Sequence, residues 1–256
     1  MSRKAVPGLQ STAIQGDFGS FEDLRKLDTL PIDMVVHLGA VTGGCSERDG
    51  VLVNCEGTRC LMRYLMDRGC DRFVMASSIA VIGMQNVLFR PLSVPISDTH
   101  PCFDRDGYGF SKHLMEELTR YYALQKPSLD ILNLRLSSVA KNDAVPSGMR
   151  SIRPWALGSI TVTLVSDIVD LIVKAVERPY SPGVRTYNAS CSKVWATVPT
   201  AELLSHWWGN DIDLSYYHRS GHEYDSAYDT HLIEKELGFV AKATLETLER
   251  SGAGVV

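Results

Sequence analysis

Three short apolar runs, each ended by small or polar residues, alternate with two segments of helical period between residues 32 and 136, and few folds accept that order. Ile32-Asp-Met-Val-Val-His-Leu-Gly-Ala40 reads as a strand buried on both faces, released into a loop by Gly39, Gly43 and Gly44. Residues 51–68 then place Val51, Asn54, Thr58, Leu61 and Leu65 at steps of three and four. Arg59, Arg63 and Arg68 fall on the other faces, and Gly69 stops the helix. Arg72-Phe-Val-Met-Ala-Ser-Ser78 is a second buried strand. A helix over Tyr108–Leu124, with Phe110, Leu114, Leu118 and Tyr121 on one stripe, leads to a third strand over Asp130–Leu136. Strand, helix and strand repeated in this way predict right-handed parallel crossovers, hence an α/β fold with a doubly wound parallel sheet.

The flanks are less regular. Ser11–Asp17 is expected to add one more strand, followed by a helix from about Phe21 to Leu27. After residue 140 comes a polar, proline-containing stretch to Pro154. Helices are then expected near Ser166–Val176, Thr200–Trp207 and Thr230–Leu237, with strands at Val184–Ala189 and Asp211–Tyr217. That mixture predicts a small C-terminal α+β lobe.

Charge and cysteine usage exclude several classes. Lys+Arg of 26 against Asp+Glu of 30 leaves a net charge of −4, with no basic surplus for a nucleic-acid backbone or an anionic membrane. No apolar run approaches the ~18 residues of a membrane span, and Met1–Gly8 has no signal-peptide core, so a cytoplasmic chain is expected. The six cysteines form no C-x-x-C pair and read as small buried hydrophobes in a reducing compartment. No metal is expected: His222-Glu223 with Asp225 and Asp229 lacks ligand spacing and reads as a solvated acidic loop. Trp207-Trp208 reads as core or rim packing, and His37 as a hydrogen-bonded core histidine.

Tyr108-Gly-Phe-Ser-Lys112 puts a phenol and an ammonium four residues apart on one helical face. A neighbouring cation favours the phenolate and draws the tyrosine towards use as a general base. Ser77 and Ser78 stand where the second strand runs out, at the carboxyl edge where open parallel sheets bind ligands.

Together with Gly16-Asp17-Phe18, Val36-His37-Leu38-Gly39-Ala40, Val53-Asn54-Cys55-Glu56-Gly57-Thr58, Ala76–Gly83, Leu134–Val139 and Glu236-Leu237-Gly238-Phe239, these residues resemble the extended short-chain dehydrogenase/reductases, which include NAD-dependent sugar epimerases, dehydratases and sugar-acid dehydrogenases. The resemblance covers most of the chain. It implies a Rossmann-like domain over 1–140 that binds NAD or NADP and a substrate lobe over 141–256, partly interleaved with the sheet. Ser78, Tyr108 and Lys112 match the catalytic residues. Cofactor contacts are implied for Asp17 and Phe18 at the adenine, for Leu38, Gly39 and Ala40 at the ribose, and for Asn54, Tyr108, Lys112 and Ser137. Substrate contacts are implied for Thr42, Ser78 and Ser138; Arg150 or Arg153 can pair with a carboxylate, or either reads as a plain surface arginine. The family also implies a homodimer through the helices at 51–68 and 108–124.

Two departures qualify the likeness. The family's G-x-x-G-x-x-G turn, whose backbone N–H groups carry the pyrophosphate, is absent: Gly16 and Gly19 are not followed by glycine at position 22. An amino-terminally shortened chain is therefore expected, lacking the first strand, helix and second strand and binding the cofactor weakly. Ser138 and Ile82 stand where nucleotide-sugar enzymes of the family usually have Asn and Tyr. The expected activity is thus oxidation of a CH–OH group in a sugar, sugar acid or similar small alcohol. Alternatives are a nucleotide-sugar epimerase or dehydratase, and a non-catalytic binding or regulatory form.

Overall fold

A computed structural model describes residues 1–4, 13–84, 86, 88–152, 157–209 and 211–247. Four strands, β1 (Met34–His37), β2 (Arg72–Ser78), β3 (Asp130–Leu136) and β6 (Gly183–Ala189), form a sheet in the order β1-β2-β3-β6. β1 runs parallel to β2, with Met34 opposite Arg72 and His37 opposite Met75. Two three-residue strands, β4 (Ser138–Ala140) and β5 (Val162–Leu164), make a separate parallel pair. The helices are α1 (Phe21–Leu24), α2 (Glu47–Asp49), α3 (Thr58–Met66), α4 (Gly107–Gln125), α5 (Val165–Glu177), α6 (Thr200–Trp208) and α7 (His231–Leu237). This is the expected Rossmann-like α/β architecture.

The chain divides into two compact units. The first comprises Met1–Ser77, Asp106–Asn133 and Tyr180–Arg185. Its core gathers Leu24, Met62, Leu65, Phe73, Met115 and Ile131. At the amino ends of its strand segments the fully buried Asp130 accepts hydrogen bonds from Ser181 N (3.0 Å) and Arg185 (2.6 Å), while Arg72 lies 3.7 Å away. Buried charge of this kind holds only when paired in this way. α2 and α3 are joined by a π-helical stretch, Gly50–Gly57, so that one continuous helical rod runs from Glu47 to Met66. The expected helical face is buried there: Asn54, Thr58, Leu61 and Leu65 all point inward. Gly69, with φ +90°, ends the rod in the left-handed region.

The second unit comprises Ser78–Arg105, Leu134–Pro179 and Thr186–Val256. One core joins Ile79, Ile82, Phe89, Leu203, Trp208 and Tyr228, and a smaller one joins Val145, Val162, Trp195 and Leu245.

Three expectations need correction. Asp211–Tyr217 is not a strand: the Asp213 carboxylate accepts Ser215 N at 2.9 Å and starts a 3₁₀ turn over Ser215–His218, a local bond that outcompetes extended pairing. The segment 13–17 makes only an isolated bridge, Gln15 with Ser2, because Asp17 turns the chain by accepting Gly19 N at 2.8 Å; Ser11 and Thr12 lie outside the described residues. The apolar stripe of α4 is not one buried face: Phe110 and Tyr121 are 39% and 54% exposed, while Leu118 packs half-buried against the core of the first unit.

All six cysteines are free, three buried and three half-buried. Among the described residues no helix is long and apolar enough to cross a membrane.

Candidate active site

Within the first unit the sequence-predicted residues converge on the start of α4. Asp106 caps the helix, its carboxylate accepting Tyr108 N at 2.8 Å and Gly109 N at 3.0 Å. Glycine is required on both sides of the approach that follows. A Cβ on Gly50 would stand 2.5 Å from Gly107 O, and one on Gly107 would stand 2.6 Å from Glu47 N, so the π-helical stretch and α4 meet backbone to backbone. Asn54, fully buried, spans this junction. Its amide nitrogen donates to Val41 O (2.9 Å) and to Ser111 Oγ (2.9 Å), and its oxygen accepts Val41 N (2.8 Å). Ser111 Oγ in turn donates to Tyr108 O at 2.7 Å, so the loop after β1 and the first turn of α4 share one hydrogen-bond chain.

Tyr108 is half-buried, and Lys112 Nζ lies 6.0 Å from its ring centroid. Lys112 is 2% exposed and donates to Ala76 O of β2 at 2.6 Å. Burial pulls its pKa down to about 8, against the opposing charge of Glu116, so the ammonium persists at neutral pH. Ser77 Oγ donates to Glu116 Oε1 at 2.6 Å. His37 is a core histidine, as expected: its Nε2 sits 3.1 Å from Thr58 Oγ1, and burial, with the Lys112 charge, lowers its pKa to about 4.

The segments assigned to the cofactor's far end lie in the same unit. Phe18 packs edge-on to His37 at 4.7 Å and fills the space that a Cβ on Gly39 or Gly57 would enter, at 2.8 and 2.6 Å. Asp17 lines a cavity of about 410 Å³ together with Arg3, Gly16, Asp23 and Lys26. Leu38 and Thr42 are exposed, and Gly39 and Ala40 half-exposed, along the chain leaving β1.

The remaining site residues belong to the second unit. Ser78 is buried and caps a 3₁₀ turn over Ile79–Ile82, its Oγ accepting Ala80 N at 3.1 Å. Ser137 Oγ pairs with Thr163 Oγ1 at 3.1 Å, and Ser138 Oγ donates to Gly158 O at 2.9 Å. Arg150 is exposed, whereas Arg153 lies outside the described residues. The structure thus gathers Asn54, Tyr108 and Lys112 in one unit, and Ser78, Ser137 and Ser138 in the other.

Reading by motif passed over Ser111 and Glu116. Both fall on the Lys112 face of α4, three and eight residues after Tyr108, and polar residues at those steps were the available signal.

An α/β sheet whose second strand is tied to a buried lysine, one helical turn after a tyrosine on the adjoining helix, defines the short-chain dehydrogenase/reductase class. The chain belongs to the NAD-dependent epimerase/dehydratase family, matching its family model over residues 2–190. Among solved structures it is similar to a short-chain dehydrogenase/reductase superfamily protein from Agrobacterium tumefaciens with bound NAD (TM-score 0.70, 21% identity, covering 97% of this chain and 86% of that one). It is also similar to uronate dehydrogenase from Agrobacterium tumefaciens (TM-score 0.67, 19% identity, 98% and 76% covered). A third likeness is to UDP-glucose 4-epimerase from Bifidobacterium longum in complex with NAD+ and UDP (TM-score 0.67, 18% identity, 94% and 81% covered). No curated protein matches the sequence.

Proposed function

We propose that the protein is an NAD(P)-dependent oxidoreductase acting on the CH–OH group of a sugar, sugar acid or similar small alcohol. The observation that carries this reading is the buried Lys112 ammonium beside Tyr108 on a capped helix start. Lys112 favours the phenolate, Tyr108 takes the proton from the substrate hydroxyl, and Ser78 hydrogen-bonds the same oxygen. When bound, NAD(P) supplies the acceptor for the substrate's hydride. The nicotinamide end fits the residues present: of the three N–H donors of Lys112 one is used on Ala76 O, and Asn54, Leu38, Gly39 and Ala40 border the same loop. The pyrophosphate does not fit equally well, since the sequence carries no G-x-x-G-x-x-G turn, and weak cofactor binding follows.

Ser138, where the family's nucleotide-sugar members usually have Asn, favours a small sugar or sugar acid over a nucleotide-linked one, with Arg150 as the partner of a carboxylate. The likeness to uronate dehydrogenase agrees with this choice. We further assign the cofactor to residues 1–140, the substrate lobe to 141–256, and the protein to the cytoplasm as a homodimer through the helices at 51–68 and 108–124, which sedimentation velocity would read directly. Reduction of NAD and NADP is to be followed with hexuronates, free hexoses and UDP-hexoses. Turnover of a hexuronate or hexose above that of UDP-hexoses is expected. Turnover of UDP-hexoses alone would move the assignment to the nucleotide-sugar branch, and no turnover at saturating cofactor would overturn it.

A further inference from the structure

Two consecutive residues at the end of β2 are tied to two residues one turn apart on α4. Ala76 O accepts from Lys112 Nζ and Ser77 Oγ donates to Glu116 Oε1, both at 2.6 Å. Glu116 is 0% exposed, a place where a carboxylate persists only when its oxygens are paired. Arg120, from the solvent side, stands 3.6 Å from Oε2. The turn that carries Glu116 is itself fixed: Thr119 Oγ1 donates to Glu116 O at 2.7 Å and accepts from Asn133 Nδ2 at 2.8 Å. No step of the chemistry above uses this carboxylate.

We propose that Glu116 is a positioning residue for the proton transfer: held by Ser77, its carboxylate is the fixed counter-charge of the buried Lys112 ammonium and secures the strand end from which Ser78 follows. The proposal rests on the reading of Tyr108 and Lys112 as the catalytic pair. Around Lys112, β1 contributes His37, which stays neutral through the working pH range, and α4 contributes Tyr108 and Glu116, with Arg120 beyond. β2 and the π-helical stretch contribute Ala76, Ser77 and Asn54, none of them charged. Burial alone would drive the ammonium towards neutrality, and Glu116 is the group that acts against it. The lysine and glutamate therefore form one buried layer of opposite charges, in which the carboxylate favours the ammonium form of Lys112.

The test uses the full chain and does not depend on turnover. Lysine ε-groups are methylated with ¹³C and titrated by NMR, Lys112 being assigned from the Lys112→Met spectrum. In Glu116→Gln the Lys112 midpoint is expected to fall by about one pH unit, a tenfold loss of proton affinity. An unchanged midpoint in the folded variant would overturn the proposal. Should that variant fold poorly, a thermal double-mutant cycle decides: Lys112→Met and Glu116→Gln each remove the opposite charge from the other residue, so the double variant is expected to melt above both single ones. Additive losses would overturn the pairing. For the strand end, Ser77→Ala should lower kcat several-fold at unchanged KM, and an unaltered kcat would remove that part. Absence of any turnover in the parent, with the titration shift and the cycle intact, would count against the proposed function and not against the pair.

Discussion

α4 and α5 are both long helices with well-defined buried faces, yet they bury opposite kinds of side chain. α5 buries Ile168, Leu171 and Ala175, and its one buried acid, Asp167, accepts Lys242 N and Ala243 N at 3.1 and 3.2 Å. α4 buries Ser111, Lys112, Glu116 and Thr119 beside Met115 and Tyr122. Exposed apolar residues do not separate them, since α5 shows Val165, Val169 and Val173 to solvent just as α4 shows Phe110 and Tyr121. What separates them is the polar layer. α5 is held by burial of hydrocarbon, whereas the inner face of α4 is held by directed bonds at fixed heights, which is what the proposed proton-transferring pair would require.

The contrast can be broken by substitution. Tyr108→Phe should reduce turnover by at least ~10²-fold with an unchanged melting temperature. Leu171→Ala should do the reverse, costing about 2–5 kcal/mol of stability while leaving kcat of the folded fraction intact. If Tyr108→Phe were as unstable as Leu171→Ala, the division between a chemical and a structural helix would fail. Activity assays and urea unfolding of the same two proteins measure both.

Acid sharpens the comparison. His37 binds its proton less well folded, at a pKa of about 4, than unfolded, near 6.5. The unfolded chain therefore takes up the extra proton as pH falls through that window, and the fold loses about 1.4 kcal/mol per unit on this account. In the second unit Asp98 behaves oppositely: burial raises its pKa from 3.8 to about 6, against the hydrogen bond from Asn188 N, so acidification between those values favours the fold there. The two nearly offset each other below pH 6, so urea midpoints between pH 7 and pH 4.5 should fall only slightly in the parent and rise in His37→Asn. A smaller effect, about 1 kcal/mol, is expected for Asp106→Ala through loss of the α4 cap, visible as a lower melting temperature. No loss there would show that the Asn54 chain suffices to hold the helix start.

The sheet was legible because β2 carries the apolar run Phe73–Ala76 and β3 a leucine-rich stretch broken only by Asn133 and Arg135, and their limits, Arg72–Ser78 and Asp130–Leu136, match the reading residue for residue. β4 and β5 escaped because three residues carry no period to detect. The Asp211–Tyr217 reading failed because alternation of side chains cannot show that Asp213 will bond two residues ahead. In the site, Tyr108 and Lys112 were visible from their spacing taken together with the serine strand end and the other motifs of the family. The partner of Asn54 was not, since Ser111 lies 57 positions away on another helix and the two meet only in the folded chain. Glu116 escaped for another reason: a glutamate one turn after a lysine looks like an ordinary solvent-facing pair.

The backbone-to-backbone meeting at Gly50 and Gly107 bears on how mutational maps of this protein will read. Neither position carries a side chain, and neither φ is positive, so any residue could adopt the backbone angle but none can occupy the space. In a library scored by activity both will therefore look as indispensable as Tyr108. Scored by abundance, they will part from it: the glycine variants should disappear while Tyr108 variants accumulate to normal levels.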